Sequence, residues 1–266
     1  MRTRSLSTVG VKILLDLPKI NSIERTVNPF ADVPLFPNVR CPPPSEMRAD
    51  LTLHYPTISD IIVDTYRSED KKWRCQMMKQ MGEARFALKS NEKRLVGDQV
   101  RNEIRKLLLE FRKFGKILRS NDEVLNSIKQ EMTRDYLIPV LPFLRENLVA
   151  NSLMKIEEYG RHNELYYRGK IDAIGSFGDE LMLVGWKTSS VSLEEPNHKQ
   201  KLRLVASLAA VNADPGFSDL PTIKKGALVH LSDCLHPPRI QIIEENELQD
   251  LIVEWKDCLH SFWLCK

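Results

Sequence analysis

An acid and an amine, Asp172 and Lys187, stand near the ends of two segments with the composition of strands, 165–174 and 180–188. The residues between them, GSFGD at 175–179, are turn formers, so the sequence predicts a β-hairpin. In this hairpin position 172 pairs approximately with position 185. Side chains alternate between the two faces of a strand, so positions 185 and 187 share a face. The sequence therefore predicts that Asp172 and Lys187 lie close together on one face.

The chemistry that suits such a face is metal-dependent cleavage of a phosphodiester. An acid on one strand and an acid-x-lysine on the next place two carboxylates and an amine together. The carboxylates hold Mg²⁺, the metal polarises the phosphate and activates water, and the lysine offsets the developing charge. Asp172 and Lys187 are therefore candidate catalytic residues.

Two runs in the hairpin carry a resemblance, GKID at 169–172 and WKTS at 186–189. Together they resemble the RecB-like branch of the PD-(D/E)xK nucleases, and within it the mitochondrial genome maintenance exonuclease family. The resemblance extends from about Tyr55 to the C-terminus and is strongest around the hairpin. It implies a restriction-endonuclease-like core and an exonuclease, dependent on Mg²⁺ or Mn²⁺, that trims single-stranded DNA ends in mitochondrial DNA replication and repair.

Carried onto this chain, the resemblance implies a metal site built around the hairpin. The first metal carboxylate of the family falls on Asp172 and its lysine on Lys187. The backbone carbonyl of Trp186 is an implied further ligand. The second carboxylate should directly precede Trp186, where the sequence has Gly185. Because Mg²⁺ takes only one or two protein carboxylates, losing one should weaken its binding severely.

Three further family positions fall on two helices, and at each of them this sequence has a residue that differs from the family's. A metal-facing histidine falls on Arg101, and a glutamine and a tyrosine fall on Arg203 and Ser207. The two arginines add positive charge near Asp172, and a guanidinium could pair with that carboxylate in place of the metal. Gln200, one helical turn before Arg203, could replace the lost glutamine.

Basic residues on the predicted second helix, 92–118, are candidates for contact with DNA phosphates, although such a charged face is more often simply solvated. The residues predicted to bind nucleic acid are Arg101, Arg105, Arg112, Lys116, Thr188, Ser189, Arg203 and Ser207.

The rest of the sequence predicts the elements that position these residues. Helices are expected at 57–81, 92–118, 123–132, 139–148, 198–212 and 245–262; strands are expected at 152–158, 165–174, 180–188, 226–231 and 239–243. Trp186, which alternates with positions 185 and 187, is expected in the core behind the hairpin. This order predicts an α/β fold in which a mixed central sheet is flanked by helices.

The N-terminal part differs in composition from the rest of the 266-residue chain. Residues 1–20 are basic and hydroxyl-rich with no acid before Asp16, which is typical of a mitochondrial transit peptide and predicts a matrix protein. Residues 21–56 hold seven prolines and are predicted to be a linker, leaving 57–266 as a single nuclease-like domain. No stretch approaches the ~20 apolar residues of a membrane span.

Three functional interpretations remain open on the sequence alone. The first is an exonuclease-like DNA maintenance protein whose activity is weak or lost and which binds metal weakly or not at all. The second is an active exonuclease with an altered ligand set. The third is an interaction protein that keeps the fold and has lost DNA binding; its protein partners are unknown. The net charge of +3 is too small to decide, but the basic stretch 90–119 favours the first two.

Overall fold

A computed structural model of the protein describes residues 55–177, 180–189, 198–232 and 236–264. The predicted transit segment and almost all of the predicted linker lie outside the described residues. The helices are α1 (Ile58–Thr65), α2 (Arg67–Met81), α3 (Glu83–Phe114), α4 (Asn121–Asn126), α5 (Glu131–Asn147), α6 (His198–Ala213) and α7 (Glu245–Leu264). The strands are β1 (Leu148–Ile156), β2 (Tyr159–His162), β3 (Tyr167–Lys170), β4 (Ala173–Phe177), β5 (Glu180–Ser189), β6 (Lys225–Ser232) and β7 (Arg239–Ile243).

Five strands form the central sheet, in the order β1-β4-β5-β6-β7. The β5–β6 pair is parallel, and the other three neighbouring pairs are antiparallel. A parallel pair needs a long crossover connection, and α6 provides the helix of that crossover. The predicted α/β class with a mixed central sheet is confirmed. No helix within the described ranges is long and apolar enough to cross a membrane.

Each face of the sheet is covered by its own hydrophobic cluster. Leu183 of β5 packs in the cluster formed with α1, α6 and α7. Its neighbour Val184 packs in the cluster formed with α3 and α5. Alternating apolar residues along β5 therefore anchor helices on both sides of the sheet.

The prediction of one continuous strand over 165–174 is wrong. Residues of β3 pair with β2 in a separate two-stranded ribbon, and only β4 belongs to the central sheet. Tyr167 is fully buried and its hydroxyl donates a hydrogen bond to the Ala206 carbonyl at 3.0 Å, which fixes β3 against α6. A Cβ on Gly169 would overlap Ile58 Cδ1 and lie 3.0 Å from Ser207 Oγ, so any side chain here would require Ile58 to shift.

The predicted first two helices have different bounds in the structure. The segment 57–81 is two helices separated at Tyr66. The helix predicted at 92–118 begins earlier and ends before Gly115, which has the left-handed φ of 69° that favours glycine. The helix α3, with its charged face, therefore ends at residue 114.

The middle of the chain also departs from prediction. The helix expected at 123–132 is the shorter α4, which begins after a capping box at Ser120 and ends at Asn126. Pro139 was expected to begin a helix but lies within the longer α5. The strand expected at 152–158 is shifted towards the N-terminus, because β1 follows α5 directly. The C-terminal elements, by contrast, match the predicted α6, β6, β7 and α7 to within two residues.

Candidate functional site

The hairpin register places position 172 opposite position 185. Ala173 of β4 pairs with Val184 of β5, and one further step brings Asp172 opposite Gly185. Asp172 itself lies in the break between β3 and β4, where its Oδ2 accepts a hydrogen bond from the Trp186 backbone N–H at 2.9 Å. The Trp186 N–H has no β4 residue opposite it, because β4 begins at Ala173. The Asp172 carboxylate therefore satisfies this buried donor. The predicted register is confirmed.

Lys187 and Trp186 point to opposite faces of β5, as their alternation requires. Trp186 is 3% exposed and packs in the cluster with α3 and α5, so its predicted place in the core is confirmed. Lys187 points to the other face, towards α6. There the charges of Asp172, Arg203 and Arg101 act on the pKa of Lys187.

A cavity of about 310 Å³ between β5, α6 and the start of α1 collects most of the predicted site. Six predicted positions line it, namely Arg101, Asp172, Gly185, Lys187, Arg203 and Ser207. Gln200 lines it too, and its Oε1 is buried with no hydrogen-bond partner within the described residues. Sequence reasoning missed Lys170 and Tyr159 of the cavity wall. Tyr159 was missed because β2 was not predicted, whereas Lys170 lies inside the GKID run and was open to prediction.

The cavity is strongly cationic. Arg101, Lys170, Lys187 and Arg203 line it, and Asp172 is the only carboxylate among the described residues of its lining. Lys170 is paired with Glu157 outside the lining, at 3.4 Å. Burial lowers the pKa of Lys187. The Asp172 carboxylate opposes that lowering of the pKa, and the two guanidiniums reinforce it. The positive charges are therefore held close enough together to repel one another.

The expected pairing of a guanidinium with Asp172 is wrong. Arg101 instead pairs with Asp98, one turn earlier on α3, at 2.5 Å. Arg203 Nε is buried with no hydrogen-bond partner in the described chain. Burial lowers the pKa of Arg203, and the charge of Asp70 only partly opposes this. Within the same residues, no ion pair of 4.0 Å or less joins Asp172 to any arginine or lysine.

Five residues predicted to bind nucleic acid do not line the cavity: Arg105, Arg112, Lys116, Thr188 and Ser189. Arg105 lies 3.4 Å from Glu157, with which it forms an ion pair. Arg112 and Lys116 are exposed at the C-terminal end of α3 and beyond it. Thr188 faces α3, because a Cβ at Gly97 would lie 2.9 Å from its Oγ1. This group is therefore either outside the cavity or on the opposite face of the sheet.

The residues of the cavity do not fit Mg²⁺. The ion prefers carboxylate oxygens, and among the described lining residues Asp172 alone supplies a carboxylate, with one oxygen already engaged by the Trp186 N–H. Nowhere in the described ranges do three or more histidine, cysteine, aspartate or glutamate side chains converge as a metal site would require. A Cβ at Gly185 would lie 3.9 Å from Asp172 Oδ2, so a carboxylate at that position would face Asp172.

Comparisons with known proteins indicate a distant relationship. No protein-family model matches the chain. The mouse (Mus musculus) protein named mitochondrial genome maintenance exonuclease 1 is 24% identical over 169 residues, which cover 61% of this chain and 46% of that protein. The chain thus spans less than half the length of this curated relative. The crystal structure of SSO0001 aligns over 59% of this chain and 74% of that one at 16% identity, with a TM-score of 0.26, too low to indicate a shared fold.

Proposed function

We propose that the protein is a mitochondrial DNA maintenance protein with a restriction-endonuclease-like core of the PD-(D/E)xK type. It binds single-stranded DNA, and its metal-dependent exonuclease activity is weak or lost. The observation that carries the proposal is the cavity in which Asp172 faces Gly185 beside Lys187. The retained acid and amine match a phosphodiesterase site, and the glycine stands where that chemistry needs a second carboxylate.

Loss of activity follows from the charges in the cavity. Among the described residues, a divalent cation entering it meets one carboxylate and four cationic side chains, of which Arg101 and Lys170 are paired with Asp98 and Glu157. Arg101 and Arg203 repel the ion, and Lys187 does the same in its protonated form. Retained DNA binding follows from the same charges, because phosphates release counterions when they meet lysine and arginine.

The test uses end-labelled single-stranded DNA. The protein should cut it slowly or not at all with Mg²⁺ or Mn²⁺, and should bind it in EDTA with an affinity that falls steeply between 50 and 200 mM salt. Lys187→Ala is the matched control, since any cleavage that persists in this variant comes from a contaminant. Rapid cleavage that the variant abolishes would refute the loss of activity. No binding at low salt would favour the interaction-protein hypothesis.

A second candidate, an active exonuclease with an altered ligand set, is favoured by one observation. Gln200 Oε1 is buried at the cavity without a hydrogen-bond partner in the described residues, so a neutral oxygen is available to a cation. If this oxygen binds metal, Gln200→Leu should abolish metal-dependent cleavage and Gln200→Glu should lower the Mg²⁺ concentration required. If the parent does not cut, both variants should remain inactive.

We also propose a mitochondrial matrix location, supported by the composition of residues 1–20 and by the relative that is named for mitochondrial genome maintenance. Residues 1–54 fused to a fluorescent protein should direct it into the matrix. The matched control replaces Arg2, Arg4 and Lys12 with glutamine, which removes the basic residues of the first fifteen positions. A fusion that stays in the cytosol would contradict this location.

A further inference from the structure

Two cationic groups of the cavity, Arg203 and Lys187, form no ion pair within the described part of the chain. Arg203 Nε is buried without a hydrogen-bond partner within the described residues. No carboxylate of these residues lies within 4.0 Å of the Arg203 guanidinium or of Lys187 Nζ. A buried charge without a partner is costly, and an anion in the cavity would remove that cost for both groups.

The donors around the cavity are those that recognise phosphate. A guanidinium presents a rigid fork of N–H groups to phosphate oxygens, and an ammonium adds a compact charge. Ser207, 8% exposed, and Gln200 on the same helix line the cavity beside Arg203. Together they give α6 a guanidinium, a hydroxyl and an amide that face one space.

The number of charges favours a phosphate monoester over a diester. A monoester carries nearly two negative charges near neutral pH, whereas a diester carries one. The volume of about 310 Å³ lies at the small end of the range for ligand cavities, which suits one nucleotide. Tyr159, 55% exposed at the cavity wall, has Arg168 over its ring at 5.9 Å from the centroid and still provides an aromatic surface on which a base can stack.

We propose that this cavity binds a terminal phosphate monoester without metal, with Arg203 and Lys187 supplying the positive charge that a divalent cation supplies in a nuclease. The monoester belongs either to a DNA end or to a free nucleotide. For a DNA end the inference rests on the proposed function, and for a free nucleotide it stands without it.

The test measures binding in EDTA to four probes. Three are a single-stranded oligonucleotide with a 5′-phosphate, with a 3′-phosphate, and with hydroxyls at both ends; the fourth is dAMP. At least one phosphorylated oligonucleotide should bind about tenfold or more tightly than the hydroxyl form. Equal affinity of all three oligonucleotides, together with no binding of dAMP, would overturn the inference without affecting the proposed function. Binding of dAMP with no binding of any oligonucleotide would support the cavity and refute the DNA function.

A pair of variants assigns the preference to the cavity. Arg203→Gln should remove the preference for the phosphorylated end, and it should fold, because Arg203 is half-buried, its Nε lacks a hydrogen-bond partner in the described residues and no described carboxylate forms an ion pair with it. Arg112→Gln removes the same charge from the exposed part of α3 and should weaken all oligonucleotides alike while the preference persists. A preference that survives in Arg203→Gln would overturn the assignment. The comparison of probes on the parent protein needs no variant and keeps the inference falsifiable if Arg203→Gln is unstable.

Discussion

Asp172→Asn and Asp172→Ala both remove the negative charge from the cavity, but only Asp172→Ala removes a hydrogen-bond acceptor. In the parent, Asp172 Oδ2 accepts the Trp186 backbone N–H at 2.9 Å, at a strand residue that is 3% exposed. Asparagine can present its carbonyl oxygen to that N–H, whereas alanine leaves the donor buried and unpaired. Comparing the two variants therefore isolates the hydrogen bond from the charge.

The two effects differ in size. Leaving one buried donor unsatisfied costs about 1–3 kcal/mol. For a protein of this length that corresponds to a melting temperature roughly 2–12 °C lower for Asp172→Ala than for Asp172→Asn. Removing a unit charge ~7 Å from a phosphate, at an effective dielectric constant of ~20–40, is worth about 1–2 kcal/mol for each negative charge that the phosphate carries. Both variants should therefore bind a phosphorylated oligonucleotide about fivefold or more tightly than the parent.

Thermal unfolding and oligonucleotide binding in EDTA measure the two effects separately. Equal melting temperatures for the two variants would refute the role assigned to the hydrogen bond. Weaker oligonucleotide binding by Asp172→Asn would refute the view that the cavity attracts anions and that its carboxylate opposes them. A metal-dependent nuclease would behave differently, because Asp172→Asn would abolish its cleavage.

Three further predictions follow from the packing and charges. Gly185→Asp combined with Arg101→His and Arg203→Gln should create a protein that Mg²⁺ stabilises against heat and that cuts single-stranded DNA faster than the parent; a parent equally responsive to Mg²⁺ would show that the site was never lost. Burial, reinforced by a neighbouring lysine, lowers the pKa of His162 to about 3, so the folded state resists the proton that the unfolded chain takes up below pH ~6.5. Stability should fall as the pH decreases from about 6.5 towards 3, and His162→Leu should flatten this part of the curve of unfolding free energy against pH. Gly169→Ala should lower the unfolding free energy by ~1–3 kcal/mol in a denaturant titration, because its methyl group meets α1 and α6; an unchanged midpoint would contradict the packing.

The elements and the strand register were predicted most accurately where local sequence signals agree with the tertiary structure. The GSFGD turn and the alternation around it were enough for the register that sets Asp172 opposite Gly185. The α6 to α7 region was similarly predictable, since its elements are periodic and separated by turn residues. The register is thus the part of the candidate site that sequence reasoning could locate.

Two features could not be predicted, for different physical reasons. The break at Asp172 depends on β3 leaving the sheet to pack against α6, and nothing in the residue pattern of 165–174 indicates a change of partner strand. The partner of Arg101 was mistaken because Asp98, three residues away on the same helix, competes with the more distant Asp172. Such competition between near and distant carboxylates is decided by geometry that a sequence does not contain.

The hydrogen bond from Trp186 to Asp172 gives an aspartate at this position a purely structural use. A stable sheet alone favours an acceptor at position 172, so Asp172 by itself is no record of catalysis. Position 185 is different, because its glycine has no side chain and its neighbours pack closely. Leu204 and Leu228 lie 3.3 Å from where a Cβ would stand. If the proposed function is right, a carboxylate can return to position 185 only where both leucines give way, so such a chain would keep one half of the motif more easily than it regains the other.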